Sequence, residues 1–156
     1  MKNFFKIAVS AVLITATAAF AGCKVSPKKV FERATGATLP ECGLITTIDS
    51  TGWMGDGELV YIFHFEEEDG KVLEETLKTA ENWSPLPMSA TLDHLVYEHF
   101  EGAIPRAESG YYFFYDEQRD VYSPIENIED DSYSYDFVIG MYDGETHTAY
   151  YYEQHT

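Results

Sequence analysis

Cysteine and basic residues are both scarce in this chain. Its 156 residues include 2 cysteines, and 10 Lys and Arg residues stand against 27 Asp and Glu residues, for a formal net charge of −17. Two cysteines exclude a disulfide-dense scaffold and a four-thiolate zinc site. So large a negative charge repels phosphate backbones, and we therefore expect no nucleic-acid partner. Hydrophobic residues make up 45% of the chain, which is enough to predict a packed core.

The N-terminal apolar run is too short to span a bilayer. Residues 7–20 form an apolar stretch of 14 residues, whereas a spanning helix needs about 20. Lys2 and Lys6 precede this stretch, and a positively charged start before a short apolar run is typical of a secretory signal peptide. The sequence therefore predicts a signal peptide over residues 1–22.

The apolar run ends in the tetrapeptide Phe20-Ala21-Gly22-Cys23. This segment resembles the lipobox of bacterial lipoproteins, in which small residues precede a cysteine, although Phe20 stands where that family usually has Leu. The resemblance implies that the chain is cut before Cys23 and that the Cys23 sulfur carries a diacylglyceryl lipid. It also implies that the lipid attaches the protein to the extracytoplasmic face of the cell membrane.

A second processing route is compatible with the same residues. Ala19-Phe20-Ala21 has the A-x-A pattern of an ordinary signal-peptidase site. Cleavage there leaves Cys23 free to pair with Cys42, and a disulfide closing a loop of that size stabilises a fold by about 3 kcal/mol. Under the lipobox interpretation, which we favour, Cys42 is instead a lone thiol.

Charge is distributed unevenly along the rest of the chain. Residues 23–42 contain four basic residues, Lys24, Lys28, Lys29 and Arg33, whereas residues 43–156 contain 4 basic and 25 acidic residues, a net charge of −21. We interpret residues 23–42 as a lipidated cysteine followed by a basic tether, either a solvated linker or a segment resting on an anionic membrane. Residues 43–156 form an acidic domain, whose charge favours neutral or cationic partners: metal ions, basic proteins or uncharged glycans.

Hydrophobic periodicity predicts the elements of the acidic domain. Residues 58–66 alternate as a strand does, residues 71–82 have the spacing of an amphipathic helix, and Asp143-Gly144 indicates a hairpin. The full prediction is five strands and two helices, in the order 44–49, 58–66, helix 71–82, helix 88–100, 110–115, 133–142 and 148–153. We therefore expect an α+β fold, with an antiparallel sheet of about five strands and two helices on one face.

The domain also resembles a group of small bacterial lipoproteins in its order of features. These features are a Gly-Asp-Gly loop at 55–57, a strand at 58–66, a helix at 71–82 and a Trp-x-x-Leu-Pro stop at 83–87. The resemblance implies a fold unit and no activity.

Aromatic residues provide the candidate partner-binding positions. Ten of the 12 tyrosines lie between residues 111 and 152, and Trp53 lies in a glycine-rich loop at 50–57. Such rings either pack across strands and cover the sheet or form a platform for a sugar ring or a partner protein. The candidates are Trp53, Tyr111, Tyr150, Tyr151 and Tyr152.

The sequence contains no recognisable catalytic motif. A Gly-x-Ser-x-Gly motif is absent, the spacing of His94, Glu98 and His99 does not fit a zinc protease, and the acidic runs do not follow the EF-hand pattern. We therefore expect no metal, no cofactor and no enzymatic activity. The favoured function is non-catalytic binding of a partner. The alternatives are a protective or inhibitory, immunity-type protein that captures a cationic toxin or enzyme, and an envelope hydrolase.

Overall fold

The structure is a computed structural model that describes residues 25–52, 56–99, 104–122 and 135–156. The described residues form six strands: β1 (Leu44–Asp49), β2 (Gly57–His64), β3 (Trp83–Pro85), β4 (Gly110–Asp116), β5 (Phe137–Asp143) and β6 (Thr148–His155). They also form three helices: α1 (Pro27–Thr35), α2 (Glu67–Leu77) and α3 (Ala90–His94), the last continuing as a π-helical turn over Leu95–His99.

One antiparallel sheet contains all six described strands. Its order is β1-β2-β6-β5-β4-β3, so the last strand of the chain lies between β2 and β5 in the middle of the sheet. The predicted α+β class with an antiparallel sheet is confirmed, and the sheet has six strands rather than about five. The additional strand is β3, in which Trp83 pairs with Phe113 of β4. Three residues are too few to show the alternation by which a strand is recognised.

The sheet has a packed layer on each face. On one, which we call the α1 face, Phe31 of α1 and Leu73 of α2 are buried against strand residues such as Phe63. On the other, the α3 face, Leu92 and Val96 are buried against a second set of strand residues, among them Ile139. The two predicted helices therefore lie on opposite faces, where we expected both on one face. The physical reason is β3, which lies between them at the edge of the sheet and carries the chain from one face to the other.

Helix α1 belongs to the core. The Ser26 side chain caps its first turn by accepting from the Lys29 N–H, Pro27 occupies the first turn, and the Gly36 N–H donates to the Glu32 carbonyl at its end. Phe31 is fully buried in the core of the α1 face. Residues 27–39, which the sequence analysis interpreted as part of a tether, are therefore packed against the sheet.

Helix α2 begins four residues earlier than predicted. Asp-Gly is a common turn sequence, yet Asp69 and Gly70 both lie inside the helix. A Cβ atom at Gly70 would lie 2.8 Å from Cβ of His147, so the glycine allows the β5–β6 turn to approach the helix. The Tyr142 hydroxyl donates to the Gly70 carbonyl at 2.7 Å and lies 3.1 Å from His147 Nδ1. Because a phenol has one proton, Nδ1 is the donor in the second contact.

The described helices include none that is both long enough and apolar enough to cross a bilayer.

Candidate functional site

Four ionisable side chains meet at one end of the α1 face. The pairing of β2 with β6 places Tyr61 opposite Tyr151, Leu59 opposite Glu153 and Gly57 opposite His155. Every second residue shares a face, so Tyr151, Glu153 and His155 form one row along β6. Glu117 and Asp136, at the ends of β4 and β5, lie beside His155. We call the four residues Glu117, Asp136, Glu153 and His155 the carboxylate cluster.

Glu153 links the cluster to the core. One of its oxygens, Oε2, accepts from the Tyr151 hydroxyl at 2.5 Å, and the other, Oε1, lies 2.6 Å from His155 Nε2. Because a carboxylate only accepts, Nε2 is the donor. His155 Nδ1 lies 3.6 Å from Asp136 Oδ1 and 3.8 Å from Glu117 Oε2. The imidazole therefore lies between three carboxylates.

Burial and neighbouring charges shift the pKa values of His155, Glu117 and Tyr151. Burial alone would lower the pKa of His155, but the hydrogen bond to Glu153 and the nearby charges of Glu153, Glu117 and Asp136 more than offset it, so the pKa is raised. Burial raises the pKa of Glu117, and the charges of Glu153 and Asp136 add to the effect. The Tyr151 pKa is raised by burial and by its bond to Glu153, so its hydroxyl stays protonated at neutral pH.

A cleft adjoins the carboxylate cluster through Tyr61. The Tyr61 ring stacks on Tyr151, with centroids 5.7 Å apart and an interplanar angle of 26°. The same Tyr61 ring lines a cleft of about 570 Å³ between the start of α1 and strand β1. The other lining residues are Val25, Ser26, Pro27, Val30, Thr47 and Asp49. We call this space the α1–β1 cleft. The carboxylate cluster and the cleft together are the candidate site.

The predicted tyrosines are divided between the two faces. Tyr150 and Tyr152 are buried on the α3 face, and the Tyr152 hydroxyl donates to Gln154 Oε1 at 2.9 Å. Tyr151 is buried on the α1 face, where Tyr111 is half-buried against the same core. Three of the four rings therefore pack within the core, because each face of β6 is covered.

Two predicted site residues, Cys23 and Trp53, lie outside the described residues. Cys42 is half-buried, and burial raises the pKa of its thiol, which disfavours the reactive thiolate.

Sequence reasoning did not identify the carboxylate cluster. The alternation Tyr151, Glu153, His155 was a usable signal, because it predicts three side chains on one face of a strand. Glu117 and Asp136 join them only through the register of β4, β5 and β6. Among 27 acidic residues, nothing in the sequence distinguishes these two.

Comparisons with other proteins gave no match to a family model, a curated protein or a solved structure. Within the part of the chain that the structure describes, no group of three His, Cys, Asp or Glu side chains is arranged to hold a metal ion.

Proposed function

We propose that this protein is a lipid-anchored lipoprotein of the bacterial cell envelope whose acidic domain binds a cationic partner without catalysing a reaction. The observation that carries the binding part is the carboxylate cluster beside the α1–β1 cleft. Three acidic side chains and one histidine lie there, with side-chain exposed fractions between 21% and 37%. Partly exposed carboxylates next to tyrosine rings suit a ligand that brings Lys or Arg side chains.

The proposed anchor is supported by the sequence from Lys2 to Cys23. A basic start, a short apolar run and Ala21-Gly22-Cys23 together resemble a lipoprotein signal. The test is the intact mass of the mature protein, recovered from bacterial membranes and from the medium. A chain that begins at Cys23 and carries a diacylglyceryl mass is expected in the membranes. A lipid-free chain in the medium, beginning at Gly22 or earlier and two hydrogens light, would instead indicate secretion with a Cys23–Cys42 disulfide.

Non-catalytic binding is supported by the chemistry of the site. The protonated phenol of Tyr151 and the imidazole of His155 are both hydrogen-bonded to the same carboxylate, Glu153. Such an arrangement orients Glu153 and leaves no activated nucleophile among these three groups. Its chemistry is therefore the acceptance of positive charge and of hydrogen-bond donors.

The binding test compares variants of acidic residues inside and outside the site. The Glu117→Gln/Glu153→Gln double variant removes two charges from the carboxylate cluster, and the Glu75→Gln/Glu81→Gln double variant removes two exposed charges elsewhere. Lysozyme serves as a cationic probe and a neutral chito-oligosaccharide as an uncharged probe. We expect lysozyme binding to weaken at high salt and to weaken more in the cluster variant. Equal losses in both variants would mean that binding follows net charge alone and would contradict the site.

A second function, capture of a cationic toxin or envelope-degrading enzyme, is supported by the charge of the domain. The net charge of −21 over residues 43–156 would steer a basic protein at long range and make its association rate fall with salt. If the protein inhibits lysozyme at low salt and the Glu117→Gln/Glu153→Gln variant does not, capture of an enzyme would be favoured over binding without inhibition. Turnover of an envelope substrate that one carboxylate substitution abolishes would favour the hydrolase.

A further inference from the structure

Strand β1 is an edge strand with apolar side chains on both of its faces. It lies at one end of the strand order and, among the described strands, pairs with β2 alone. All six residues are exposed, with exposed fractions of 58% for Leu44, 40% for Ile45 and 52% for Ile48. Successive side chains of a strand point to opposite faces, so Ile45 lies on one face and Leu44 and Ile48 on the other. The apolar surface therefore follows the edge of the sheet.

The first described residue of the chain lies beside this edge. Val25, which is 48% exposed, lines the α1–β1 cleft together with Thr47 of β1. We call Leu44, Ile45 and Ile48 the β1 edge. Cys23 precedes Val25 by two residues, and because one residue spans at most about 3.6 Å, their Cα atoms are no more than about 7 Å apart. A lipid on Cys23 would therefore hold the β1 edge close to the bilayer.

Charge and distance favour the same orientation. The first turn of α1, which also lines the cleft, carries the exposed Lys29, whose charge suits anionic headgroups, whereas the neighbouring Lys28 is paired with Glu41. Strand β3 lies five strand positions away from β1, or about 24 Å at the usual spacing. With so short a connection to Cys23, a lipid on that residue would turn the β1 edge towards the membrane and the β3 edge away from it.

We propose that the β1 edge rests in the headgroup layer of the membrane that holds the anchor. This inference rests on the proposed lipidation of Cys23. The outer N–H and C=O groups of an edge strand need water or headgroup partners, which hydrocarbon does not provide. The edge therefore lies at shallow depth, with the side chains of Leu44, Ile45 and Ile48 at the boundary of the acyl chains.

The test measures depth at matched positions of the full-length, lipidated protein. In a Cys42→Ser background, Ile48→Cys and Ile45→Cys carry an environment-sensitive fluorophore on the two faces of β1. Val72→Cys is the control, because Val72 is 59% exposed and lies on α2, which contacts β4, four strand positions from β1. Each protein is reconstituted into vesicles of phosphatidylethanolamine and phosphatidylglycerol that contain nitroxide-labelled lipid, with the nitroxide at either a shallow or a deep position.

We expect the shallow nitroxide to quench the labels at 45 and 48, the deep nitroxide to quench them less, and neither to quench the label at 72. Equal quenching at all three positions, or no quenching at any, would overturn membrane docking. If the intact mass still showed the lipid, the proposed anchor on Cys23 would remain supported. A lipid-free mass would overturn the anchor itself.

The same variants, unlabelled, distinguish a protein partner from the bilayer. If a thiol-reactive cross-linker joins two chains through residue 48 and the shallow nitroxide does not quench the labels, the β1 edge pairs with a second copy of the chain. That result would also overturn membrane docking. Quenching at 48 alone would mean that one face of β1, and not its edge, lies on the membrane. Because the decision needs one label on each face, Leu44→Cys replaces Ile48→Cys, or Thr47→Cys replaces Ile45→Cys, where the first variant has a folding defect.

Discussion

The two faces of the sheet carry different kinds of side chain. On the α3 face the strands bury a set of side chains that includes Val60, Ile139 and Tyr152, and the Tyr152 hydroxyl donates to Gln154 Oε1. On the α1 face the same strands bury Phe63 and Tyr151 and then, further along β6, carry Glu153 and His155. The centre of the α3 face is thus built for packing, with acidic residues such as Asp116 and Asp143 at the ends of its strands, whereas the α1 face combines packing with the cluster around His155. The difference explains why the candidate site belongs to the α1 face.

The largest expected effect tests whether α1 is part of the α1 face. Phe31 is fully buried and contacts Phe63 edge-on, with ring centroids 5.5 Å apart. Phe31→Ala should lower the free energy of unfolding by about 3–5 kcal/mol, because it leaves a cavity between helix and sheet. Urea denaturation measures the loss. Lys29→Ala, at an exposed position of the same helix, should stay within about 0.5 kcal/mol. Equal effects of the two substitutions would mean that residues 27–35 do not pack on the sheet.

A smaller loss is expected where α1 approaches the sheet most closely. A Cβ atom at Gly140 of β5 would lie 2.9 Å from the Trp83 ring and 3.0 Å from Cγ2 of Thr35. Gly140→Ala should therefore cost about 1–3 kcal/mol through overpacking. Gly43→Ala is the matched control, since a Cβ there meets nothing within 4 Å. Thermal unfolding that is unchanged in both variants would contradict the close approach of α1 and Trp83.

The charged contacts of the α3 face should contribute less. Arg106 lies 3.2 Å from both Asp93 and Glu98, and its guanidinium carbon is 4.7 Å from the Tyr97 ring centroid. Arg106 is about half exposed, so Arg106→Ala should cost at most about 1 kcal/mol. Arg106→Lys keeps the charge and should recover part of that loss in urea denaturation. A loss above about 2 kcal/mol would place an important charged contact on the face that we describe as built for packing.

The smallest expected effect is a change in how the free energy of unfolding depends on pH. The pKa of His155 is raised above its ordinary value of 6.5 by the surrounding carboxylates, so the folded state binds this proton more tightly than the unfolded state. The stabilisation is complete below pH 6.5 and is lost as the pH rises through the folded-state pKa. The free energy of unfolding should therefore fall with rising pH in that window, and His155→Gln should flatten the slope.

Urea denaturation at several pH values provides the measurement for His155. His94→Gln, at an exposed position on α3, should keep the slope of the parent protein. If the slope of the unfolding free energy against pH persisted in His155→Gln and disappeared in His94→Gln, the group responsible would lie on the α3 face, which would contradict the assignment to His155.

Much of the sheet is predictable from local pattern. The alternation in β2 and the Asp143-Gly144 turn between β5 and β6 are short-range signals, and the strands that they predicted are present. Helix α1 had signals too, in Ser26-Pro27 and Gly36. Its basic residues favoured a tether. The burial of Phe31 that holds this helix on the sheet depends on the distant Phe63 and Trp83, which local pattern does not reveal.

The candidate site was less accessible to sequence reasoning, because it depends on register and on which face each helix covers. Tyr150 and Tyr152 would be exposed if both helices lay on the α1 face. They are buried because β3 brings the next helix to the α3 face. Likewise, Asp136 lies near His155 only because β5 and β6 pair with Val138 opposite Glu153. These relations are set by tertiary structure.

The central position of β6 bears on when the domain can fold. This strand is the last of the six in the chain, yet β2 and β5 both pair with it, and Tyr61 meets Tyr151 about 90 residues later. Contacts between residues so far apart in sequence form slowly compared with local hairpins. We expect a growing chain to stay without its sheet until residues 148–155 have left the ribosome. Under the export that we propose, a delay of this kind would keep the precursor in the unfolded form that a translocation channel accepts.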